Sequence, residues 1–142
     1  MQYNIFQARN KKYIEHLFYS KPRIFLGSGK RQQDVQKIEI KAVSPVWAEK
    51  TCLTKYTIFF RNNTTKKIRS TASNQELLKN AWTVMNYLSQ SNNSKIKKAI
   101  NPPLYFSPRL NLLFYEEIPG DTLTNIFEFN AENSAVIKPY LL

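Results

Sequence analysis

The sequence predicts an α+β domain, a five-stranded antiparallel sheet with one helix packed on it. Three observations carry that prediction. Short segments rich in β-branched and aromatic residues recur between polar turns, which is the signature of paired strands. One longer stretch repeats apolar residues at three- and four-residue spacing, as an amphipathic helix requires. The 142 residues include 9 Phe, 8 Tyr and 2 Trp, enough to fill one core in a chain of single-domain length.

The first unit, residues 1–34, reads as a basic N-terminal extension. Ile14, Leu17 and Phe18 fall at helical spacing, so a short amphipathic helix is expected there. Pro22, Gly27 and Gly29 punctuate 20–31, which reads as a loop with a short extended piece at Ile24, Phe25 and Leu26.

The central unit spans 35–120. Over 35–43, Val35, Ile38, Ile40 and Val43 stand among Gln36, Lys37, Glu39 and Lys41, an alternation that slips once and gives a first strand. Pro45 ends it. Residues 51–60, from Thr51 and Cys52 to Phe59 and Phe60, are dense in β-formers and make the second strand. Arg61, Asn62, Asn63 and Thr64 are a polar turn, and 66–72 returns as a third strand.

A helix is expected over 73–89, with Leu77, Leu78, Ala81, Trp82, Met85 and Leu88 on one stripe. Ser73 with Glu76 fits a capping box at its start. A basic polar loop over 90–98 leads to strands at 104–106 and 110–118, closed by Pro119 and Gly120. The last unit, 121–142, carries Leu123, Ile126, Phe127, Phe129, Val136 and Ile137 and reads as a partial helix.

Composition narrows the chemistry. A formal charge of +11 favours an anionic partner such as a nucleotide, a nucleic acid or an anionic lipid surface. Cys52 is alone, so no intramolecular disulfide forms, and with His16 it cannot complete a structural zinc site. No apolar run is long enough to span a bilayer and no secretory leader opens the chain, so a cytoplasmic protein is expected. Gly27, Ser28, Gly29 and Lys30 suggest a phosphate loop, yet Ile24 replaces its first glycine and Arg31 its Ser or Thr. Glu116 and Glu117 are adjacent on a strand and should face opposite ways, which rules out a catalytic dyad.

Four stretches together point further. They are Thr51 to Ile58 after the turn holding Pro45 to Lys50, then Ile68-Arg69, the helix with Glu76, and Pro102-Pro103-Leu104 leading to Glu116-Glu117-Ile118-Pro119-Gly120-Asp121. Over about 35–137 this order resembles the small lobe and hinge of kinase-like phosphotransferases, the aminoglycoside phosphotransferase and choline kinase-like group. The resemblance implies a nucleotide-binding lobe. Lys50 and Thr51 would lie over the phosphates, Arg69 would take the place of the strand-three lysine, and Glu76 would orient it. Glu116, Glu117 and Ile118 would form the hinge and meet adenine through backbone groups.

Arginine differs from lysine in shape and donor geometry, and the strand turn holds no glycine; both depart from the family pattern. The larger departure is absence. Phosphoryl transfer in this fold needs a catalytic aspartate, a nearby asparagine and a metal-binding aspartate, whereas Asp34 and Asp121 are the only aspartates here. The chain is therefore expected to be a member truncated before its catalytic lobe and inactive alone. ATP would bind weakly or not at all without that lobe, and Mg²⁺ only where a partner lobe supplies ligands. The implied partners are the nucleotide and either a separate chain carrying the second lobe or a second copy of this one. An uncovered sheet face is expected to leave apolar surface that promotes self-association.

The alternative is a small basic module for nucleic acid. Lys11, Lys12, Lys21, Arg23, Lys30 and Arg31 form a basic front interleaved with aromatics, and Lys95, Lys97 and Lys98 cluster in a loop. No recognition motif for nucleic acid accompanies them.

Overall fold

β-Branched and aromatic residues at alternate positions build the centre of the molecule. In a computed structural model that describes residues 7–43 and 52–117, strand β2 (Cys52–Phe60) buries Cys52, Thr54, Tyr56, Ile58 and Phe60 and leaves the intervening residues half-buried. That period of two fixes one core face and one opposite face. β2 pairs antiparallel with β3 (Thr65–Ala72) through a turn in which Asn63 adopts φ 67°. Asparagine tolerates that left-handed conformation better than most residues, and Asn62 Oδ1 steadies the turn by accepting from the Thr64 amide at 3.1 Å.

β1 (Val35–Ala42) pairs antiparallel with β2, with a register shift between Val35 and Lys37 that accounts for the slipped alternation in the sequence. β4 (Pro103–Ser107) and β5 (Leu112–Glu116) complete an open, antiparallel five-stranded sheet of order β1-β2-β3-β5-β4. The α+β class and the five antiparallel strands agree with the sequence prediction.

The helices depart from it. One helix packed on the sheet was expected besides a short amphipathic helix near the start. The N-terminal helix is present, the partial helix expected over 121–142 lies outside the described residues, and the best-buried helical side chains belong to the N-terminal segment. These are Ile14 and Phe18 of α1 (Lys11–Ser20) and Phe25 of α2 (Pro22–Phe25), all with no measurable exposure. They join Val35, Ile38, Tyr56, Ile58, Ile68, Leu112 and Phe114 in a single core. Phe18 stacks on Phe25 at 4.4 Å and meets the edges of Tyr56 and Phe114 at 5.4 and 6.1 Å. Such pairs add about 0.5–1.5 kcal/mol each beyond the area they bury. Ile24, Phe25 and Leu26, expected to be extended, are instead the turn of α2 and its cap, because Pro22 at the first helical position presets the backbone.

Helix α3 (Gln75–Ser89) fills the position expected of the packed helix, but Leu78 is its one buried residue. It leans on the β4–β5 margin, where Trp82 lies 6.4 Å from Phe106. Leu77, Val84 and Tyr87, on the side of the helix away from Leu78, remain 60, 53 and 79% exposed. Its N-cap is Asn74, which accepts from the Glu76 and Leu77 amides at 2.8 and 3.2 Å. The expected cap, Ser73, is buried one residue earlier. A short α4 (Ser94–Ala99), capped by Asn93, connects to β4.

One buried polar network ties the two layers. The Tyr56 hydroxyl donates to the Ala8 carbonyl and shares a 2.9 Å hydrogen bond with Ser70 Oγ. Burial pushes this phenol well above the ordinary tyrosine range.

Candidate functional site

Strand pairing places a row of polar side chains across the sheet face turned away from α1 and α2. Lys41 stands opposite Lys55, Lys55 opposite Arg69, and Arg69 opposite Tyr115. A second row joins Glu39, Thr57 and Lys67. Side chains directly opposite on adjacent strands lie about 5 Å apart, where like charges repel. Three successive cations in one row therefore call for an anion.

Glu117 supplies part of that charge. Its amide donates to the Lys67 carbonyl at 3.0 Å, which extends the β3–β5 ladder by one residue and turns the side chain onto the cationic face. Its carboxylate lies 3.4 Å from Lys55 Nζ through Oε2 and 3.4 Å from Arg69 Nη2 through Oε1. The Arg69 and Glu117 side chains are 18 and 19% exposed, so the pair is largely withdrawn from water. The arrangement is incomplete: Arg69 Nε and Glu117 Oε2 are both buried without a hydrogen-bond partner.

Toward the sheet edge the basic row opens into a depression of about 530 Å³ lined by Arg9, Lys11, Glu39, Lys41, Lys55 and Thr57. Arg9 is set there by donating to Thr54 Oγ1 at 3.1 Å and to the Leu53 carbonyl at 3.2 Å. Four cations and one carboxylate line this hollow, whose volume suits a small ligand. An anion placed there would meet charge on two strands, β1 and β2, and on the N-terminal segment.

Of the residues singled out in the sequence, Arg69 and Glu117 come together. Glu116 faces the other way, level with Ile68. There it sits near Lys66, whose ammonium is held below the ordinary lysine range by burial, with Glu116 partly offsetting that effect. The Glu116 amide donates to the Pro102 carbonyl at 2.8 Å, so the amides of both Glu116 and Glu117 are taken within the fold. Glu76 lies exposed in the first turn of α3, and the carboxylate within ion-pair distance of Arg69 is Glu117. Lys50, Thr51 and Ile118 lie outside the described residues.

Lys55 and Arg9 were missed in the sequence. Lys55 was legible: counting back from the turn at 61–64 sets it opposite Arg69. Arg9 was not, because nothing local ties residue 9 to strand β2.

Other chemistry finds no support in the geometry. Cys52 is buried in the core. Among the described residues no group of His, Cys, Asp and Glu could hold a metal, and no helix is long and apolar enough to cross a membrane. Among the aromatics interleaved with the basic front, Tyr13 and Tyr19 remain half-buried, and the phenylalanines are taken by the core. Phe18 and Phe25 are core residues, and Tyr105, Phe60 and Phe59 sit under Lys21, Lys30 and Lys37 at 5.4, 4.9 and 4.8 Å. Among the described residues the exposed large apolar side chains are Leu77, Val84, Tyr87 and Ile96 on the α3–α4 side and Val43 after β1. Comparison of the chain with protein-family models, with curated proteins and with solved structures finds no match.

Proposed function

We propose that the cationic sheet face binds the phosphates of ATP, and that the chain is the nucleotide-binding lobe of a small-molecule phosphotransferase of the aminoglycoside or choline kinase-like group. The observation that carries this reading is the position of Arg69: on β3, on the face turned away from α1 and α2, with Lys55 beside it and residue 117 of the expected hinge at its guanidinium. The strand–helix–strand order supports it as well. In this reading Arg69 and Lys55 contact the α- and β-phosphates, and Lys50 and Thr51 close over them from the β1–β2 connection. Adenine is met by backbone carbonyls of the hinge and by Ile118, since the amides of Glu116 and Glu117 already have acceptors.

Among the described residues Glu76 makes no ion pair, and it serves the first turn of α3, where a carboxylate favours the helix dipole. Transfer of the γ-phosphate needs aspartates that hold Mg²⁺ and accept the acceptor's proton. Asp34, the one aspartate among the described residues, accepts the Arg31 amide at 2.8 Å in a turn before β1. The described residues accordingly serve binding, and the metal ligands for transfer would come from a further lobe, on the same protein or on a partner. A cytoplasmic setting, where a lone thiol stays reduced, fits this reading.

Isothermal titration with ATP and with a single-stranded oligonucleotide, on wild type and Arg69→Ala, tests it. ATP should bind to wild type and lose about tenfold or more in affinity in the variant, equivalent to one charge-assisted contact. ATP affinity unchanged in Arg69→Ala removes the assignment. Oligonucleotide binding with a steep salt dependence, and no ATP binding, would favour the nucleic-acid module instead.

A further inference from the structure

We infer that Glu117 is a built-in counter-ion that occupies the phosphate position in the ligand-free chain, so that an entering polyphosphate must displace it from Lys55 and Arg69. This rests on the nucleotide-binding reading of the same face and adds how the site is kept closed to simple anions.

Three features carry it. The backbone holds the carboxylate in place: the Glu117 amide bonded to the Lys67 carbonyl fixes which face the side chain takes. The carboxylate bridges two cations at 3.4 Å each, longer than the 2.7–2.9 Å of a fully formed charge-assisted hydrogen bond, so it neutralises them without saturating them. Arg69 Nε and Glu117 Oε2 are buried with no hydrogen-bond partner, so the closed arrangement leaves donor and acceptor capacity unused.

A ligand wins this competition by bringing more charge than the single carboxylate it displaces. A triphosphate spans Lys55 and Arg69 and reaches toward Lys41, whereas inorganic phosphate can replace Glu117 only one for one. The device therefore selects nucleoside triphosphates and tripolyphosphate over monophosphates. Swinging Glu117 away needs rotation of its side chain only, because the ladder bond belongs to its amide.

The test is isothermal titration of wild type, Glu117→Gln and Glu117→Asp with tripolyphosphate, inorganic phosphate and ATP, with thermal melts recorded alongside. Glu117→Gln keeps the shape and removes the charge, so tripolyphosphate should bind about tenfold more tightly, the worth of one ion-pair contact. Inorganic phosphate binding should become measurable in the same variant. Glu117→Asp draws the charge back by one methylene and should tighten tripolyphosphate by about threefold, and it stands in if the Gln variant fails to melt cooperatively. Unchanged or weaker tripolyphosphate binding in both variants overturns the inference, while ATP binding to wild type would leave the nucleotide reading standing. Tighter tripolyphosphate binding in the variants with no ATP binding in any form supports the counter-ion and rejects the nucleotide. Absence of binding by every anion to every form rejects both.

Discussion

On one face of the sheet Tyr56, Ile58, Ile68 and Phe114 are fully covered by α1 and α2, and the buried hydroxyls of Tyr56, Ser70 and Thr54 each have a partner. On the other, Lys55, Arg69 and Glu117 keep about a fifth to a quarter of their side chains in water, and two buried polar atoms have no hydrogen bond. The same strands supply both faces, one residue out of phase. The covered face holds the fold together by apolar burial and aromatic packing, and its polar groups are matched. The open face is mismatched in charge and in hydrogen bonding, the condition expected where a ligand completes a site rather than where a core is sealed.

The sharpest way to break the comparison is to remove an aromatic from the covered face. Phe18→Ala should cost about 3–5 kcal/mol, read as a fall in the urea midpoint, because the cavity would open between both layers. A loss under about 1 kcal/mol would mean that α1 is not a core layer.

Tyr56→Phe probes the network that joins the layers. It should cost about 1–3 kcal/mol by leaving the Ala8 carbonyl and the Ser70 hydroxyl short of a partner. The pH dependence has a definite sign. The folded state holds the Tyr56 proton more tightly than the unfolded chain, whose phenol titrates near 10.0. Its contribution is therefore complete below that pH and is lost as pH rises toward the folded value. Wild type should lose stability in the alkaline range more steeply than Tyr56→Phe, in melts recorded on either side of the unfolded value.

Smaller effects separate the fold from the site. Asn74→Ala should cost about 1 kcal/mol by freeing two amides at the start of α3. Arg69→Ala should cost far less stability than Phe18→Ala, since Lys55 still neutralises Glu117, while binding of ATP falls about tenfold or more. A variant that lost stability and binding in step would erase the distinction between the two faces.

The central hairpin and the strand count were legible because residues 51–60 are dense in β-branched and aromatic residues and the turn that follows carries asparagines that accept left-handed backbone. The strict alternation of burial along β2 and β3, which turns Arg69 away from Ile68 and Ser70, shows only in the structure. The role of α1 was not legible. Ile14, Leu17 and Phe18 announce an apolar helical face, but what they cover is set by a chain reversal that no local pattern encodes. The cap of α3 moved by one residue because Ser73 and Asn74 are both good N-caps, and burial of Ser73 decided between them.

The carboxylate partner of Arg69 was the harder case. Glu76 lies close in sequence, whereas Glu117 is set beside Arg69 only by the crossover that brings β5 next to β3. Charge partners across a sheet depend on strand order, and strand order is a property of the assembled fold.

The most direct test of the proposed phosphate-binding face is a titration of isotopically labelled protein with ATP, followed by backbone amide chemical shifts. The account predicts that the largest changes fall on Lys55, Lys67, Arg69, Tyr115 and Glu117, with residues 12–20 of α1 and all of α4 little altered. Changes confined to Lys12, Lys95, Lys97 and Lys98, or no changes at all, would contradict it.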